Sequence, residues 1–554
     1  MSHINNILIR NFRGIKYLSQ NFGEEKFIVL IGRGDSGKST ILSAINLALS
    51  PSWNIVFSDL DFYMQDTINP IEIEITLTHL PSELLRESKF GLYVINDLSE
   101  ECNASQLSVV LKLIVDETLE PHWVIKARPG SDIDDKTISA QDRGLLAVNY
   151  ITDYTDNQFS YNRQSPLYAL TKYSLPEGAT IERIKSQIIR SMTSSISEQQ
   201  LEQLNIPFVG LKTTAEKLGL KLTDIYAQVD IKENPYTGNS IALHDQNLPF
   251  RLHGKGTKRL MSIAIQTGLT KQGGIVLIDE LEQGLEPDRI ITLVRILKDT
   301  TEGQVFITTH SLNVVLEAEW HNLFVINKGV STLSLVSQDL DDCRRSNPQA
   351  FFAKKVICCE GKTEQGFIRA LDSWLFQHYN SNFSAKGIVI VNAGGGNKMY
   401  TYAEKLSALG YDACVFADDD KYIELKESKE LAISANIPLF LCQEGNCLEA
   451  QIFLDFPWNS LTMITTCKQE NFINNSINFS DKETNNLGMR LSLEDEKSIR
   501  NQLANFASDK RIFKDIPGGE FLGKVVMEVY SDLSEECTLK KNIKNLLTWC
   551  DFQI

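Results

Sequence analysis

The fold is decided by eight residues in the first part of the chain, Gly32-Arg33-Gly34-Asp35-Ser36-Gly37-Lys38-Ser39. They follow the apolar run Phe27–Ile31, which predicts a strand, and they open a run from Lys38 to about Leu49, which predicts a helix. The pattern GxxxxGK[ST] between a strand and a helix is typical of a phosphate-binding loop. Its glycines let backbone N–H groups face a phosphate at the positive end of the helix. A chance glycine- and serine-rich turn is the alternative.

The chemistry of a nucleotide site needs a cation, a magnesium ligand and a group that orients water. Lys38 would reach the β- and γ-phosphates, and the Ser39 hydroxyl would ligate Mg²⁺. The run Ile275–Ile278 is followed by Asp279 and Glu280, which predicts a buried strand whose carboxyl end meets the nucleotide. There Asp279 would hold Mg²⁺ and Glu280 would orient the attacking water. Strands that end in acids are common, so this interpretation depends on the glycine-rich loop.

A third strand-like run, Gln304–Thr309, ends at His310. That position suits a histidine that touches the γ-phosphate, although a purely structural histidine is the alternative. The order and spacing of these motifs resemble the ABC ATPase heads of chromosome-maintenance and repair proteins, and the opening segment Ile7–Gly14 fits the same group. The resemblance supplies the motif names: Walker A for Gly32–Ser39, Walker B for Asp279 and Glu280, the D-loop for Glu282–Pro287 and the switch histidine for His310.

ABC heads act as dimers in which the signature motif of one subunit caps ATP held by the other. The resemblance therefore implies a homodimer or a higher homo-oligomer. This chain departs from the LSGGQ signature, and the candidate is His253–Thr257, which leads into a helix predicted from Lys258 to about Thr270. Its glycines could still bind a γ-phosphate, and the sequence leaves ATP turnover open. The predicted nucleotide-binding residues are Gly32, Gly34, Gly37, Lys38, Ser39, Thr40, Asp279, His310, Gly254 and Gly256.

Carboxylates gather in the second half of the chain. The apolar run Lys355–Cys359 ends at Glu360-Gly361-Lys362-Thr363-Glu364, and a later apolar run ends at Asp418-Asp419-Asp420. Residues i and i+2 of an extended segment share a side, so Asp418 and Asp420 can converge on one cation. Acids from two neighbouring strand ends repel one another unless a divalent cation such as Mg²⁺ or Mn²⁺ lies between them. A solvated acidic loop is the alternative.

A glutamate after one strand and a DxD after a later strand resemble the Toprim domain. An ABC head followed by Toprim resembles the OLD (overcoming lysogenisation defect) family of nucleases, including its Gabija and retron-associated branches. By this resemblance Glu449 matches a later metal-binding glutamate and Lys514 a catalytic lysine, for which an ordinary surface lysine is the alternative. The implied metal ligands are Glu360, Glu364, Asp418, Asp420 and Glu449, with Ser39 and Asp279 at the nucleotide. The implied catalytic residues are Glu280, Glu360 and Lys514. The run Gly394–Gly396 either approaches a phosphate or is a flexible turn.

The sequence predicts an α/β protein with two domains. Residues 1–349 form the ABC-type ATPase domain and residues 350–554 form the Toprim domain with a helical extension. Helical spacing within about 160–220, seen at Ile181, Ile184, Ile188, Ile189, Leu201 and Leu204, predicts a helical insertion that we expect to dimerise. The polar segment Ser337–Gln349 is the predicted linker.

Bulk composition narrows the class of protein. The chain has 554 residues, of which 42% are hydrophobic and 23% charged, as in globular proteins. An apolar stretch of about 18 residues and a basic, apolar leader are both absent, so we expect a cytoplasmic protein without a membrane partner. The ten cysteines follow no zinc or disulfide spacing. The net charge of −16 neither supports nor excludes a local basic groove for DNA.

Three functions are compatible with these motifs. The first is an ATP-regulated, two-metal DNA endonuclease or nickase, which family analogy places in anti-phage defence. The second is an ATP-driven DNA clamp or sensor with a non-catalytic Toprim scaffold, which has no need of repelling acids. The third is a topoisomerase, which needs a tyrosine in a separate cleavage domain that we do not find. The resemblance also implies that a helicase, or a retron reverse transcriptase with its nucleic acid, can be a partner.

Overall fold

The computed structural model describes residues 2–97, 106–128, 130, 133–146, 148–151, 156–161, 165–176, 179–184, 203–230, 240–246, 248–270, 274–300, 303–327, 331–461, 464, 497–509 and 511–553. The chain divides into two units, Met1–Val336 and Ser337–Ile554. Helices and strands alternate in both, so the predicted α/β class is confirmed.

The first unit contains the following strands: β1 (His3–Phe12), β2 (Ile15–Asn21), β3 (Phe27–Ile31), β4 (Ile71–Thr78), β5 (Ile95–Asp97), β6 (Gln106–Val115), β7 (Pro121–Ile125), β8 (Lys136–Thr137), β9 (Val148–Ile151), β10 (Ile225–Asp230), β11 (Ser240–Asp245), β12 (Leu248–Pro249), β13 (Ile275–Ile278), β14 (Gln304–Thr308), β15 (Leu323–Val325) and β16 (Ser334–Leu335). Its described α-helices are α1 (Lys38–Leu49), α2 (Ala140–Gly144), α3 (Pro166–Ser174), α4 (Phe208–Lys217), α5 (Lys255–Thr270), α6 (Pro287–Thr300) and α7 (Leu312–Glu317).

One sheet of this unit is antiparallel, with strand order β2-β1-β4-β6-β7-β8 and β5 paired to β6. Its strands alternate between buried and partly exposed residues, as β4 does with Ile71, Ile73 and Ile75 facing the core. This period of two is expected when one face of a sheet is buried and the other meets water.

The other large sheet positions the nucleotide motifs. Its order is β16-β15-β3-β14-β13-β9, and all neighbours are parallel except β15 and β16. Strands β3, β13 and β14 are buried along their whole length, which explains their uninterrupted apolar sequences. Because these strands are parallel, Gly32, Asp279 and Thr309 follow them at the same edge of the sheet.

A small antiparallel sheet, β10-β11-β12, completes the first unit. The predicted helical insertion contains helices α3 and α4, and its residues Ile181, Ile184 and Leu204 are buried. The other expected members, Ile188, Ile189 and Leu201, lie outside the described residues. Helix α5 begins at Lys255, three residues earlier than predicted from the sequence.

The second unit contains strands β17 (Lys355–Cys359), β18 (Ile388–Asn392), β19 (Asp412–Ala417) and β20 (Leu439–Leu441). Its described helices are α8 (Asp341–Ser346), α9 (Lys362–Tyr379), α10 (Lys398–Ala408), α11 (Lys426–Ser434), α12 (Leu448–Asp455), α13 (Lys497–Asp509), α14 (Ile516–Glu528) and α15 (Thr538–Trp549).

The sheet of the second unit is parallel, in the order β18-β17-β19-β20. Cys359 is in register with Asn392 on one side and with Phe416 on the other. The residues that follow β17 and β19, which include Glu360 and Asp418, therefore leave the sheet at one edge. This register is what allows acids distant in sequence to meet.

Helices α9 and α14 approach closely because glycines line their contact. A Cβ atom at Gly523 would lie 2.6 Å from Ala370 Cβ, and one at Gly519 would collide with the carbonyl oxygen of Thr363. The Thr363 hydroxyl also donates a hydrogen bond to Phe513 O at 3.1 Å. The contact fixes the segment that precedes α14 beside the start of α9.

The segment 337–349, predicted as a linker from its polarity, folds within the second unit and contains α8. Its polar side chains have partners there: Asp342 pairs with Lys398 at 2.7 Å, and Asn347 donates to Asn392 O at 3.0 Å. Composition alone does not separate a solvated linker from polar residues that bond to their own domain.

Among the described residues, none of the helices combines the length and the apolar character that crossing a membrane requires.

Candidate functional site

The glycine-rich loop has a backbone that few other residues could follow. Gly32 and Gly37 have φ values of 145° and 104°, in the region that glycine adopts most readily. Helix α1 starts directly after Gly37, which as the N-cap residue has no side chain to cap the first amides. Uncapped N–H groups at a positive helix end form a binding place for an anion. Gly34, which lies between these two glycines in the loop, has open space around it.

Lys38 lies over this loop and is 5% exposed. Its Nζ donates hydrogen bonds to Gly32 O at 2.9 Å and to Arg33 O at 2.8 Å. Burial lowers the pKa of Lys38 to about 8, against the opposing effect of nearby Glu282 and Asp279. A partly desolvated ammonium of this kind is well suited to receive phosphate oxygens.

Asp279 and Ser39 meet although they come from different halves of the first unit. The Ser39 hydroxyl donates to Asp279 Oδ1 at 2.9 Å, and the Thr308 hydroxyl donates to the same oxygen at 2.5 Å. A hydroxyl beside a carboxylate at the start of α1 is the donor set that a nucleotide-bound Mg²⁺ uses. Thr40, the next residue of α1, follows Ser39 directly.

His310 and Glu280 flank this pair. The carboxylate of Glu282 fixes the segment 309–310. It accepts hydrogen bonds from the His310 backbone N–H at 2.6 Å and from the Thr309 hydroxyl at 2.7 Å. Burial lowers the pKa of His310, and Lys38 lowers it further. The Glu280 side chain is exposed, while its N–H donates to the Thr308 hydroxyl at 2.8 Å.

The predicted signature residues lie against the D-loop. Gly254 precedes α5, and Gly256 is in its first turn. A Cβ atom at Gly256 would lie 2.6 Å from Gly284 O, so the backbones of α5 and the D-loop are in close contact.

The acids of the second unit form a compact group. Glu360, Asp418 and Asp420 each offer an oxygen, and these oxygens all lie within 4.8 Å of one another. Asp418 is 6% exposed and Glu360 is half-buried. Burial raises the pKa of Glu360 to about 7, and the carboxylates of Asp418 and Asp420 add to the shift. The group therefore favours either protons or a divalent cation.

Glu364 and Glu449 stand beside this group. Glu364 accepts the Gly361 N–H at 2.9 Å, and burial raises its pKa to about 7. Glu449 is completely buried, and its Oε1 has no hydrogen-bond partner within the described part of the chain. Burying a charged oxygen without a partner is costly, so an orphaned Oε1 fits a ligand position for a cation.

Lys514 completes the cluster. Its Nζ lies 3.2 Å from Glu449 Oε2 and 3.5 Å from Asp418 Oδ2. Burial acts to lower the pKa of Lys514, but the carboxylates of Asp418, Glu449 and Glu364 outweigh it and raise that pKa. One ammonium among five carboxylates leaves a net negative charge, and carboxylate oxygens are ligands that Mg²⁺ and Mn²⁺ prefer.

The run Gly394–Gly396 lies next to the cluster. All three glycines have positive φ values, and Gly395 donates its N–H to Glu360 O at 2.8 Å. The loop thus supports the residue that follows β17. A contact between this loop and a phosphate stays a prediction.

Several residues of these sites were not identified from the sequence. Thr308 and Arg259 contact the Walker B turn, and the buried Asp419 pairs with Lys429 at 2.8 Å instead of turning into solvent. No motif spacing marks them, because their roles arise from neighbours on other strands and helices. For Arg259 the available sequence signal was an arginine directly before the apolar residues Leu260 and Met261 of a predicted helix.

Solved structures similar to this chain include SMC head domains and RecF. The Smc head domain of Pyrococcus furiosus bound to the C-terminal domain of ScpA is 13% identical with a TM-score of 0.39, and the match covers 62% of this chain and 100% of that one. The SMC head domain of Thermotoga maritima is 13% identical with a TM-score of 0.30, covering 60% and 99%. RecF bound to ATP is 13% identical with a TM-score of 0.38, covering 60% and 99%. Among curated proteins, none matches the chain.

Two family models match the chain, and their ranges do not overlap. The AAA ATPase domain matches residues 3–315, more than half of the chain, and the TOPRIM domain of overcoming lysogenization defect protein-like proteins matches residues 351–420. An ATPase domain followed by this type of Toprim domain indicates an ATP-binding protein with a nuclease-type function. The chain belongs to the family of the AAA ATPase domain and has the ATPase–Toprim architecture of the OLD family.

Proposed function

We propose that this protein is an ATP-regulated DNA endonuclease or nickase that depends on divalent metal ions. The observation that carries the proposal is the meeting of Glu360, Asp418 and Asp420 within 4.8 Å. The buried, orphaned oxygen of Glu449 and the nearby ammonium of Lys514 support it. A phosphodiester is the substrate class that such a site handles, because metal-bound carboxylates stabilise its negative charge.

The carboxylates have separate tasks in this proposal. Glu360, Asp418 and Asp420 would hold one Mg²⁺ or Mn²⁺, and Glu364 and Glu449 would hold a second. Such a pair of ions supplies a nucleophilic hydroxide at neutral pH and charge neutralisation at the leaving oxygen. Lys514 would place its ammonium where charge develops on the phosphoryl oxygens.

The first unit would bind and hydrolyse ATP. Lys38 and the uncapped amides of α1 would contact the phosphates, Ser39 and Asp279 would hold Mg²⁺, and Glu280 would orient water. His310 would contact the γ-phosphate, and its lowered pKa favours the neutral ring at pH 7. Support comes from the hydrogen bonds that join Ser39, Asp279 and Thr308.

The biological setting is proposed from family resemblance. The protein would act on DNA, in the cytoplasm, in defence against phage. It would form a homodimer or a higher homo-oligomer in which Gly254 and Gly256 of one subunit cap the ATP of another. A helicase or a retron is the proposed partner. The helical insertion within about 160–220 is the proposed contact between subunits.

A DNA clamp with a non-catalytic Toprim scaffold is the competing function. Buried acids argue against it, because Asp418 and Glu364 are 6% and 3% exposed and their repulsion would weaken a scaffold that held no metal.

Plasmid cleavage separates the two functions. Supercoiled plasmid is incubated with Mg²⁺ or Mn²⁺, with and without ATP, and with wild-type protein, Glu360→Ala or Asp418→Ala. The matched control is Glu427→Gln, which changes an exposed acid on α11. We expect both site variants to lose cleavage and to keep ATP binding, while the control cleaves normally. Cleavage by both site variants would move the active site elsewhere, and no cleavage by any protein would favour the clamp.

A further inference from the structure

Arg259 is a buried cation in the first unit that no nucleotide motif includes. It lies on α5, one helical turn after the residue at which the helix begins, and it is 2% exposed. Its Nη2 donates hydrogen bonds to the backbone carbonyls of Asp279 and of Glu280, the latter at 3.0 Å. The guanidinium thus holds the backbone of the two Walker B acids without occupying their carboxylates.

Thr308 holds the same turn from the side of β14. Its hydroxyl accepts the Glu280 N–H at 2.8 Å and donates to Asp279 Oδ1 at 2.5 Å. Its backbone carbonyl accepts the N–H of Leu281 at 3.1 Å. Thr308 is 1% exposed, so water cannot readily replace these bonds.

Glu280 itself has a backbone conformation that needs such support. Its φ is 48°, in the left-handed region that residues other than glycine rarely adopt. A strained conformation persists only where surrounding contacts determine it, and such residues concentrate at active sites. Two hydrogen bonds fix this conformation: Arg259 donates to the Glu280 carbonyl, and the Thr308 hydroxyl accepts the Glu280 N–H.

We infer that Arg259 is a positioning residue for ATP hydrolysis, which sets the direction of the Glu280 carboxylate through the backbone. This inference rests on the proposed role of Glu280 in orienting water. It also links two parts of the site, because α5 carries the glycines of the candidate signature at its start, and Gly256 is in close contact with Gly284. These contacts join the start of α5, which carries the signature glycines, to the Glu280 turn.

The test compares Arg259→Met with Arg259→Lys. Lysine keeps a cation with three N–H donors, although its chain is one bond shorter, whereas methionine fills space without donating. The matched control is Arg295→Met, which removes an exposed arginine paired with Glu317 on the surface of the same unit. Glu280→Gln serves as the reference for loss of the water-orienting group.

The measurements are kcat and KM for ATP at saturating Mg²⁺, the Kd of a fluorescent ATP analogue, and the melting temperature. We expect Arg259→Met to lower kcat by up to about 100-fold, the cost of a small misplacement of a catalytic group, with Kd nearly unchanged. Arg259→Lys should recover most of kcat, and Arg295→Met should match the wild type. A structural role alone would lower the melting temperature without this split between kcat and Kd.

Two results would overturn different claims. If Arg259→Met keeps the wild-type kcat while Glu280→Gln loses activity, the inference about Arg259 is wrong and the proposed role of Glu280 stands. Wild-type kcat in Glu280→Gln, or no hydrolysis by the wild type, would overturn the proposed role of Glu280 and the inference with it. If Arg259→Met fails to fold, Arg259→Gln decides, because glutamine stays polar but is too short to reach the two carbonyls. In this variant kcat should fall with Kd nearly unchanged, and wild-type kcat would overturn the inference.

Discussion

Lys514 Nζ lies 3.2 Å from Glu449 Oε2, inside a cluster of acids contributed by distant parts of the second unit. The lysine reaches this position because the Thr363 hydroxyl and the glycines of α14 fix the segment before α14 beside the start of α9. The ammonium offsets part of the repulsion among the carboxylates, and in the proposed reaction it would face the phosphoryl group.

Replacing Lys514 with methionine should lower both plasmid cleavage and the stability of the metal-free protein. Without the ammonium, Glu449 and Asp418 repel each other with no compensating charge. The rate of plasmid nicking and the melting temperature in a chelator check this, with Lys524→Met on α14 as the exposed control. Normal nicking by Lys514→Met would show that the lysine has no part in the reaction.

Stability without metal should fall as pH rises from 6 to 8. The pKa of Glu360 and of Glu364 is raised to about 7, mainly by burial. A carboxyl with a raised pKa contributes its stability below the unfolded-state pKa and loses it as pH rises through the folded-state pKa. The melting temperature in a chelator should therefore be lower at pH 8, and Glu360→Gln should flatten this slope.

Mn²⁺ should reverse that loss, since a metal binds the deprotonated ligands. At a metal concentration of about 100 times Kd the expected gain is about 2.7 kcal/mol, or roughly 5–10 °C for a unit of this size. The gain should be larger at pH 8 than at pH 6, where protons compete. Equal gains at both pH values would contradict ligation by groups with raised pKa values.

Lys38→Ala should weaken ATP binding by roughly 10- to 100-fold, the value of a hydrogen bond to a charged group. Lys38 is the buried cation that donates into the glycine-rich loop, and its ammonium would move to phosphate oxygens. Titration of a fluorescent ATP analogue measures the change, with the exposed Lys26→Ala as control. Unchanged affinity in Lys38→Ala would remove the nucleotide site from this loop.

Gly523→Ala should destabilise the second unit by about 1–3 kcal/mol, because the added methyl group would lie 2.6 Å from Ala370 Cβ. Gly210→Ala is the matched control, since Gly210 lies in α4 with open space around it and alanine favours a helix. Chemical denaturation should give opposite signs for the two variants. A neutral Gly523→Ala would mean that α9 and α14 separate easily.

Local patterns were enough to predict the strands at whose ends the candidate site residues lie. The glycine-rich loop, the acids after β13 and the acids after β17 and β19 each follow a short apolar strand, and the strand boundaries match the sequence prediction closely. These motifs can be recognised in the sequence because each consists of residues that are adjacent along the chain. The helix from Lys38 to Leu49 is an example in which both ends agree.

Contacts between distant segments could not be predicted in the same way. The hydrogen bonds that Arg259 and Thr308 make with the Walker B turn depend on how α5 and β14 pack around β13. The spacing of residues along the sequence does not predict this packing. The segment 337–349 looked like a linker because its hydrogen-bond partners, such as Lys398 and Asn392, lie far along the chain. Glu449 and Lys514 were assigned by resemblance, and their proximity follows from the fold.

The most direct test of the central claim is a titration of Mn²⁺ into nucleotide-free protein, followed by the electron paramagnetic resonance signal of free Mn²⁺. We predict that wild-type protein binds Mn²⁺ and that Asp418→Ala loses this binding, while Glu427→Gln binds as the wild type does. Equal binding by wild-type protein and Asp418→Ala would contradict the account.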